Sequence, residues 1–415
     1  MPSMFDSTRP HEKSNFIYNI IEGALYIAGG SLISSQTVLP ALVNRLGGGN
    51  IEVGILGVIV YLALFLPQIL SSRYAQTIAW KKQWVLRFGV IQRVVIILIG
   101  LIVLLFGKEH PQLALWMFLL LFTINQLVLS VNTPIWFDFV TKLTPLQIRG
   151  KLIAIRNSIA GVLSLLASFL LTWLLVSFEF PMNYAYVFFV TFAIQISAIF
   201  FQARLEEERA SVIHPLPTLR DYIKHLQGIL QENNAFVTFL LASVFLILAT
   251  MPMNFFTVYA MNRFNADEHL IGMFTLMGVA GQVAGALLNG YLADKFGNKL
   301  ALLSASFAVL ISSIFAWIAP SVGMFNVVFF GVGMFIGSEM MIRYNLSVEY
   351  GHADHRATYI ALMNTVLAPC YFSGLLGGVL CNMFGYELVF FVGIVCSVIG
   401  ITLLITRVKE PRFNG

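Results

Sequence analysis

Long apolar runs separated by short charged segments constrain this chain more than any other feature. Lipid offers no partners for backbone N–H and C=O groups, so a run that crosses a bilayer must be helical. About twenty residues suffice for a helix to cross. Such runs lie near residues 17–43, 51–71, 84–106, 112–137, 153–176, 183–203, 235–260, 270–290, 300–320, 323–346, 359–382 and 386–406. The pattern predicts an all-α polytopic membrane protein with twelve transmembrane helices.

Composition supports this class and excludes others. The chain is 58% hydrophobic and 11% charged, about half the charged fraction of a typical soluble domain. Its net charge of +5 is scattered over loops instead of forming a basic patch, so nucleic acid is not an expected partner. The three cysteines lie in the last two runs without a neighbouring histidine pair, which indicates no metal site. We find no motif of a hydrolase or an ATPase, and we predict no enzyme activity and no cofactor.

The basic residues predict the orientation of the helices. With both termini in the cytoplasm, most Lys and Arg residues of the loops lie on the cytoplasmic side, as the positive-inside rule requires. Only Arg45, Lys108 and Arg263 then lie outside. The first run is too long for the core of a signal peptide and should remain as a transmembrane helix.

A polar segment divides the runs into two sets of six. We predict an N-terminal six-helix bundle at 1–203, a cytoplasmic linker at 204–233 and a C-terminal six-helix bundle at 234–415. Within the linker, the sequence from Thr218 to Asp221 resembles a capping box and predicts an amphipathic helix on the membrane surface.

One charged loop carries a family resemblance. Gly290, Asp294, Lys295, Gly297 and Lys299 stand in the spacing Gly-x-x-x-Asp-Lys-x-Gly-x-Lys between the eighth and ninth runs. This spacing resembles the loop signature of the major facilitator superfamily. We expect Gly290 and Gly297 to let two helix ends approach and turn sharply.

An internal repeat supports the resemblance. The stretch from Phe137-Asp138 to Arg149 aligns without gaps with the stretch from Tyr344-Asn345 to Arg356, after the fourth run of each half. The first-half counterpart of the charged loop, near residue 76, has neither the acid nor the glycines.

The resemblance implies two six-helix bundles around a central cavity that opens alternately to either side of a bacterial plasma membrane. The first, fourth, seventh and tenth spans line that cavity in the superfamily. The candidate cavity residues on these spans are Tyr26, Gln36, Asn125, Asn132, Trp136, Asn254, Tyr259 and Arg343. Amides on such spans also serve as hydrogen-bonding contacts between helices, and that alternative stays open.

Two carboxylates are candidates for proton coupling. Glu339 stands one turn from Arg343, and we rank it first; Glu22 comes second. The alternatives are mutual neutralisation of Glu339 and Arg343, and a Glu22 side chain that reaches toward water.

Asp294 is the candidate conformational latch. In the resembled superfamily the matching acid engages the positive end of a neighbouring helix when the cytoplasmic side is shut. The repeat alignment assigns the partner position to Arg356.

The sequence thus predicts a secondary active transporter that moves a small organic solute by alternating access, coupled to protons. Its expected partners are that solute, protons and the lipid bilayer, and the chain is expected to act as a monomer. Two alternatives stay open: an efflux pump for amphipathic compounds, and a receptor or scaffold of the same fold that transports nothing.

Overall fold

Helices make up nearly all of the described chain. A computed structural model describes residues 11–75, 77–211, 228–231, 233–265, 267–351 and 356–411, without the side chains at 62–73, 146, 356–358 and 361. The predicted linker helix after Thr218 falls mostly outside the described residues. The helices are α1 (Glu12–Ser31), α2 (Val38–Arg45), α3 (Asn50–Ala75), α4 (Lys82–Phe106), α5 (Pro111–Leu143), α6 (Leu146–Ser177), α7 (Met182–Ala203), α8 (Asn234–Leu248), α9 (Phe256–Phe264), α10 (Glu268–Phe296), α11 (Asn298–Ile318), α12 (Phe325–Ile336), α13 (Glu339–Glu349), α14 (Arg356–Leu367), α15 (Ser373–Phe384) and α16 (Tyr386–Thr406).

The predicted class, an all-α polytopic membrane protein, is confirmed. In the described part of the chain, ten helical segments are long and apolar enough to cross a membrane, and Asn50–Tyr61 is a shorter apolar helix. The first predicted run is divided between α1 and α2.

Several predicted runs are interrupted helices. The seventh contains a 3-10 turn at Met251–Asn254 between α8 and α9, and the eleventh contains one at Ala368–Phe372 between α14 and α15. Each turn has a proline in its first two positions, where the missing N–H disrupts α-helical hydrogen bonding. The expected loop between the fourth and fifth runs is shorter than predicted, because α5 continues to Leu143 and α6 begins at Leu146.

By internal contacts the chain forms two compact units. The first comprises Met1–Ser34 and Leu66–Leu216, and the second comprises Ser35–Phe65 and Pro217–Gly415. In the first unit, α1 packs against α6 and α7, while α4 packs against α5 and α7. In the second, α11 packs against α12 and α16. The bundle boundaries predicted from the sequence stay a prediction.

The tightest helix contact in the second unit lies between α10 and α12. A Cβ at Gly281 would overlap the carbonyl oxygen of Phe330, and a Cβ at Gly333 would overlap that of Gly278. Glycines therefore let the two backbones touch. This contact matters because lipid provides little hydrophobic drive for helix association, so close packing must supply it.

We predict that Gly281→Ala destabilises the protein. The added methyl group has no space against Phe330, and such overpacking costs roughly 1–3 kcal/mol. Gly278→Ala is the matched control, because a Cβ there would lie 3.9 Å from its nearest neighbour. Both changes raise helix propensity alike, so a difference in melting temperature in detergent isolates the packing term. Equal melting temperatures would contradict the prediction.

Candidate functional site

The first unit contains a cavity of about 170 Å³ among α1, α4, α5, α6 and α7. Its charged and polar lining includes Glu22, Gln92, Arg93, Asn132, Arg156 and Gln202. Each of these side chains is less than a tenth exposed. Charged groups are costly inside a membrane protein and mark ion or substrate pathways, so this cavity is the leading candidate for a functional site.

Glu22 on α1 is the acidic centre of the cavity. Its Oε2 lies 3.5 Å from Nη2 of Arg156 on α6, and its Oε1 accepts a hydrogen bond from Nε2 of Gln202 at 3.3 Å. Gly23 makes this geometry possible, because the guanidinium of Arg156 occupies the space that a Cβ at Gly23 would fill. A glycine next to the acid thus admits the arginine from a neighbouring helix.

Arg93 on α4 is the second buried cation of the cavity. Its Nη1 donates to the carbonyl of Gly89 and to Oε1 of Gln92, each at 3.1 Å, and its Nε donates to the carbonyl of Gln195 at 3.4 Å. Its guanidinium lies 5.0 Å from the centre of the Tyr26 ring. Neutral oxygens therefore accept these hydrogen bonds, and among the described residues no carboxylate forms an ion pair with Arg93.

The charges of the cavity do not balance. Its described lining contains two guanidiniums, Arg93 and Arg156, and a single carboxylate. Glu22 interacts electrostatically with both cations. At the ordinary charge states of these groups, the cavity carries a net charge of +1.

Four buried atoms of the cavity lining have no hydrogen-bond partner among the described residues. They are Nε of Arg156, Oδ1 of Asn132, Oε1 of Gln202 and Oε2 of Glu22, the last of which faces Nη2 of Arg156 at 3.5 Å. The guanidinium of Arg156 also lies over the Trp136 indole, 4.7 Å from the ring centre. Buried polar groups without partners are costly, so these atoms, one donor and three acceptors, are the groups of the lining that a bound molecule would have to reach to satisfy.

Some predicted residues meet here and others do not. Tyr26, Asn132, Trp136 and Glu22 line the cavity. Asn125 does not line it; its Nδ2 donates to a backbone carbonyl of α4 at 3.2 Å, which is a contact between helices. Four further cavity residues are not among those predicted from the sequence: Gln92, Arg93, Arg156 and Gln202.

A second charged cluster lies in the second unit. Glu339 and Arg343 form an ion pair one turn apart on α13, and both are buried. Tyr61 and Tyr371 stack with ring centres 4.7 Å apart, and Tyr371 is hydrogen-bonded to Arg343. Arg343 Nη1 has no hydrogen-bond partner among the described residues. The pair is therefore flanked by aromatic hydroxyl groups from α3 and from the turn before α15.

Gln36 belongs to this second cluster. Its side chain is hydrogen-bonded to Tyr61, and its carbonyl accepts a hydrogen bond from Thr257 Oγ1 at 2.7 Å. Thr37 is also hydrogen-bonded to Thr275, at 2.6 Å. These contacts join the segment at 35–65 to helices of the C-terminal half within one unit.

Asn254 and Tyr259 have packing roles in the structure. Asn254 Nδ2 donates to the Met251 carbonyl at 3.3 Å, and its side chain fills the space beside Gly57. Tyr259 is buried in an aromatic cluster, 4.9 Å from the ring of Phe390. The described contacts of these two residues place neither of them beside the Glu339 and Arg343 pair.

The loop predicted around residues 290–299 is almost entirely helical in the structure. Only Gly297 separates the end of α10 from the start of α11. Its φ of 95° lies in the region that favours glycine. Gly290 differs from the expectation: it lies inside α10 with open space around it, so no helix approach depends on it. Asp294 is exposed and has no ion pair among the described residues. The side chain of Arg356 lies outside the described residues.

A carboxylate caps the helix that follows each of two corresponding turns. One turn precedes α4 in the first half, and the other is the turn at Gly297 that precedes α11 in the second half. Glu207 accepts hydrogen bonds from the backbone N–H groups of Lys81 and Lys82, each at 2.9 Å, at the start of α4. It also forms an ion pair with Lys142 at 2.8 Å. A carboxylate here satisfies free N–H groups and the positive end of the helix dipole.

Glu410 does the same at the start of α11. Its Oε2 accepts from the backbone N–H of Lys299 at 2.7 Å, and its side chain fills the space beside Gly297. Burial raises the pKa of the nearby Tyr350 hydroxyl, and Glu410 adds to the rise. That hydroxyl therefore stays protonated and donates to the Lys409 carbonyl at 2.7 Å. Each capping acid lies four residues beyond the end of a helix, α7 and α16.

We predict that Glu22→Gln destabilises the protein by about 3 kcal/mol, because it leaves buried guanidiniums without a counter-charge. Glu22→Gln combined with Arg156→Gln should recover part of that loss, since the two changes remove the pair together. Lys82→Gln is the control: it removes a partly exposed pair with Glu206 at 4.0 Å and should cost less than about 1 kcal/mol. Thermal unfolding in detergent measures all three. Additive losses in the double variant would show that Glu22 and Arg156 do not interact.

Comparisons with known proteins agree with this architecture. The family model of the Major Facilitator Superfamily matches residues 23–368 and 238–414. No curated protein sequence matches the chain.

Solved transporters share the fold. The nucleoside transporter NupG is 11% identical, with 96% of this chain and 98% of that chain covered and a TM-score of 0.67. The xylose transporter XylE from E. coli, in a partially occluded inward-open conformation, is 14% identical, with 98% and 100% covered and a TM-score of 0.69. A bacterial homologue of the iron transporter ferroportin, in an inward-facing state, is 13% identical, with 94% and 98% covered and a TM-score of 0.69. At such identities the likeness concerns the fold alone. Together with the family match, it shows that this chain belongs to the Major Facilitator Superfamily.

Proposed function

We propose that the protein is a secondary active transporter of a small organic solute, working by alternating access as a single chain in a bacterial plasma membrane, with both termini in the cytoplasm. The observation that carries this proposal is the buried, charged cavity among the membrane helices of the first unit. Charges are retained at such a cost where they bind a solute or an ion. Fold relatives that include a nucleoside transporter and a xylose transporter support it.

A proton is the proposed coupling ion, and the geometry favours Glu22 over Glu339 as its carrier. Proton binding to a carboxylate depends on the distance of the nearest cation. Glu339 and Arg343 lie on one helix, α13, so a movement between helices does not change the spacing of their backbones. Glu22 and Arg156 lie on different helices, α1 and α6. Small movements between those helices would change the proton affinity of Glu22, which is what coupling requires.

The function is tested with purified protein in lipid vesicles that contain a pH-sensitive dye. Solutes from a metabolite panel are added outside in the presence of a pH gradient. A transported solute should move protons with it and change the internal pH, whereas vesicles without protein should not respond. Efflux of amphipathic dyes instead would favour the drug-export alternative, and binding of solutes without any flux would favour a receptor or scaffold.

We predict that Glu22→Gln abolishes accumulation driven by a pH gradient and retains exchange of solute at equal concentrations. Exchange needs the cavity and the conformational change but no net proton transfer. Glu339→Gln is the matched control, because it makes the same chemical change in the other buried pair. Loss of accumulation in Glu339→Gln alone would assign coupling to Glu339, as the sequence ranking has it. Normal accumulation in both variants would contradict proton coupling through either carboxylate.

Asp294 is proposed as a conformational latch at the cytoplasmic ends of the helices. Its exposed carboxylate in the last turn of α10 is available to a cation or to the positive end of a helix. The proposed partner, Arg356, begins α14. A partly exposed contact of this kind is worth on the order of 1 kcal/mol, enough to shift a balance between two states without unfolding the protein.

We predict that Asp294→Asn favours the inward-open state and slows transport with nearly normal expression. Spin labels at the cytoplasmic ends of the two bundles should report longer distances by pulsed electron paramagnetic resonance. Asp267→Asn is the control, since this residue precedes the opposite end of the same helix. Distance distributions that match in wild type and Asp294→Asn would exclude a latch at this position.

A further inference from the structure

The surplus of positive charge in the first-unit cavity points to the chemistry of the solute. We propose that the substrate is a small hydroxylated organic monoanion whose acidic group binds the guanidinium of Arg156. This inference rests on the proposed transport function and adds to it the charge and polarity of the solute.

The charged groups of the cavity favour a solute with one negative charge. Arg93 and Arg156 face one carboxylate, Glu22, and the described lining contains no further acid. All three groups are buried, so a neutral solute would leave the cavity with its net positive charge. With Glu22 ionised, a monoanion makes the loaded cavity neutral, and with Glu22 protonated it lowers the net charge from +2 to +1; in both states it lowers the cost of carrying these charges through the membrane. A zwitterion would leave the net charge unchanged.

The buried atoms of the cavity without hydrogen-bond partners favour a solute that has both an acidic group and hydroxyl groups. Arg156 Nε is a donor that requires an acceptor, as a carboxylate oxygen supplies. Asn132 Oδ1 and Gln202 Oε1 are acceptors that require donors. Hydroxyl groups beside the acidic group would supply them, whereas a plain hydrocarbon acid would leave both amides unsatisfied.

Size and shape limit the solute further. The cavity of about 170 Å³ is smaller than the usual pocket for a drug-sized ligand, which holds roughly 300–1,000 Å³. One face of the Trp136 ring is covered by Arg156, and Arg93 lies over Tyr26. The aromatic residues therefore face the arginines, and the space suits a compact polar molecule better than a large aromatic one.

The test measures thermal stabilisation of the purified protein by matched compounds. Lactate is compared with lactamide and alanine, gluconate with sorbitol, and glucuronate with glucose. Each set keeps the size and changes the charge; the neutral counterparts also keep most hydroxyl groups, whereas alanine has an ammonium group in place of the hydroxyl of lactate. A compound that binds only the folded protein, at ten times its dissociation constant, raises the melting temperature of a chain of 415 residues by roughly 1–2 °C.

We expect at least one hydroxycarboxylate to stabilise the protein and its neutral or zwitterionic counterpart to have no effect. Arg156→Gln should weaken binding of that carboxylate about 10- to 100-fold, the range for a hydrogen bond to a charged group. Asn132→Asp, a second variant with nearly unchanged shape, should also weaken it, because it adds a negative charge to the cavity. Arg87→Gln is the control, since Arg87 lies on α4 with its guanidinium against Trp84 and outside the cavity.

Three results would overturn the proposal: equal stabilisation by the neutral counterparts, stronger stabilisation by alanine than by lactate, or no stabilisation by any carboxylate. None of these decides the transport function, which the vesicle experiment tests with solutes of every charge. A neutral solute that moves protons would refute the anionic substrate and support transport. Carboxylate binding without flux of any solute would support an anionic ligand for the cavity and refute the transport function.

Discussion

The ion pair between Glu22 and Arg156 requires a specific arrangement of the helices of the first unit. A carboxylate buried in a membrane protein needs a counter-charge, and here that charge comes from another helix. Arg156 reaches Glu22 only because residue 23 has no side chain. The closeness of α1 to α6 and the polar character of the cavity both follow from that approach.

The second unit relies on a different form of close contact. Where two helices meet at Gly281 and Gly333, backbone atoms touch directly and van der Waals packing replaces the hydrophobic effect that lipid cannot supply. Its charged pair, Glu339 and Arg343, lies within a single helix, so the ion pair itself does not fix the distance between two helices. Movement between helices would therefore change the distance between the paired charges in the first unit more than in the second.

The helical architecture could be predicted from the sequence because hydropathy reports it locally. The interruptions at Met251–Asn254 and Ala368–Phe372 could have been expected from their prolines. The partner of Glu22 could not be predicted, because helix periodicity does not tell which helices are neighbours. The available signal was an arginine at position 156, close to the start of an apolar run. The same limit explains Tyr259, whose helix face meets an aromatic core.

The helices α4 and α11 have the same kind of cap, although the first half lacks the loop signature of the second. Glu207 and Glu410 hold equivalent helix starts from equivalent places beyond α7 and α16. The segment at 407–411, which follows α16, is thus packed into the second unit through its contacts with Gly297, Lys299 and Tyr350. A protein truncated after Thr406 would lose the cap that Glu410 provides for α11, while α4 would keep the cap that Glu207 provides. An affinity tag is therefore better joined through a flexible spacer beyond Glu410.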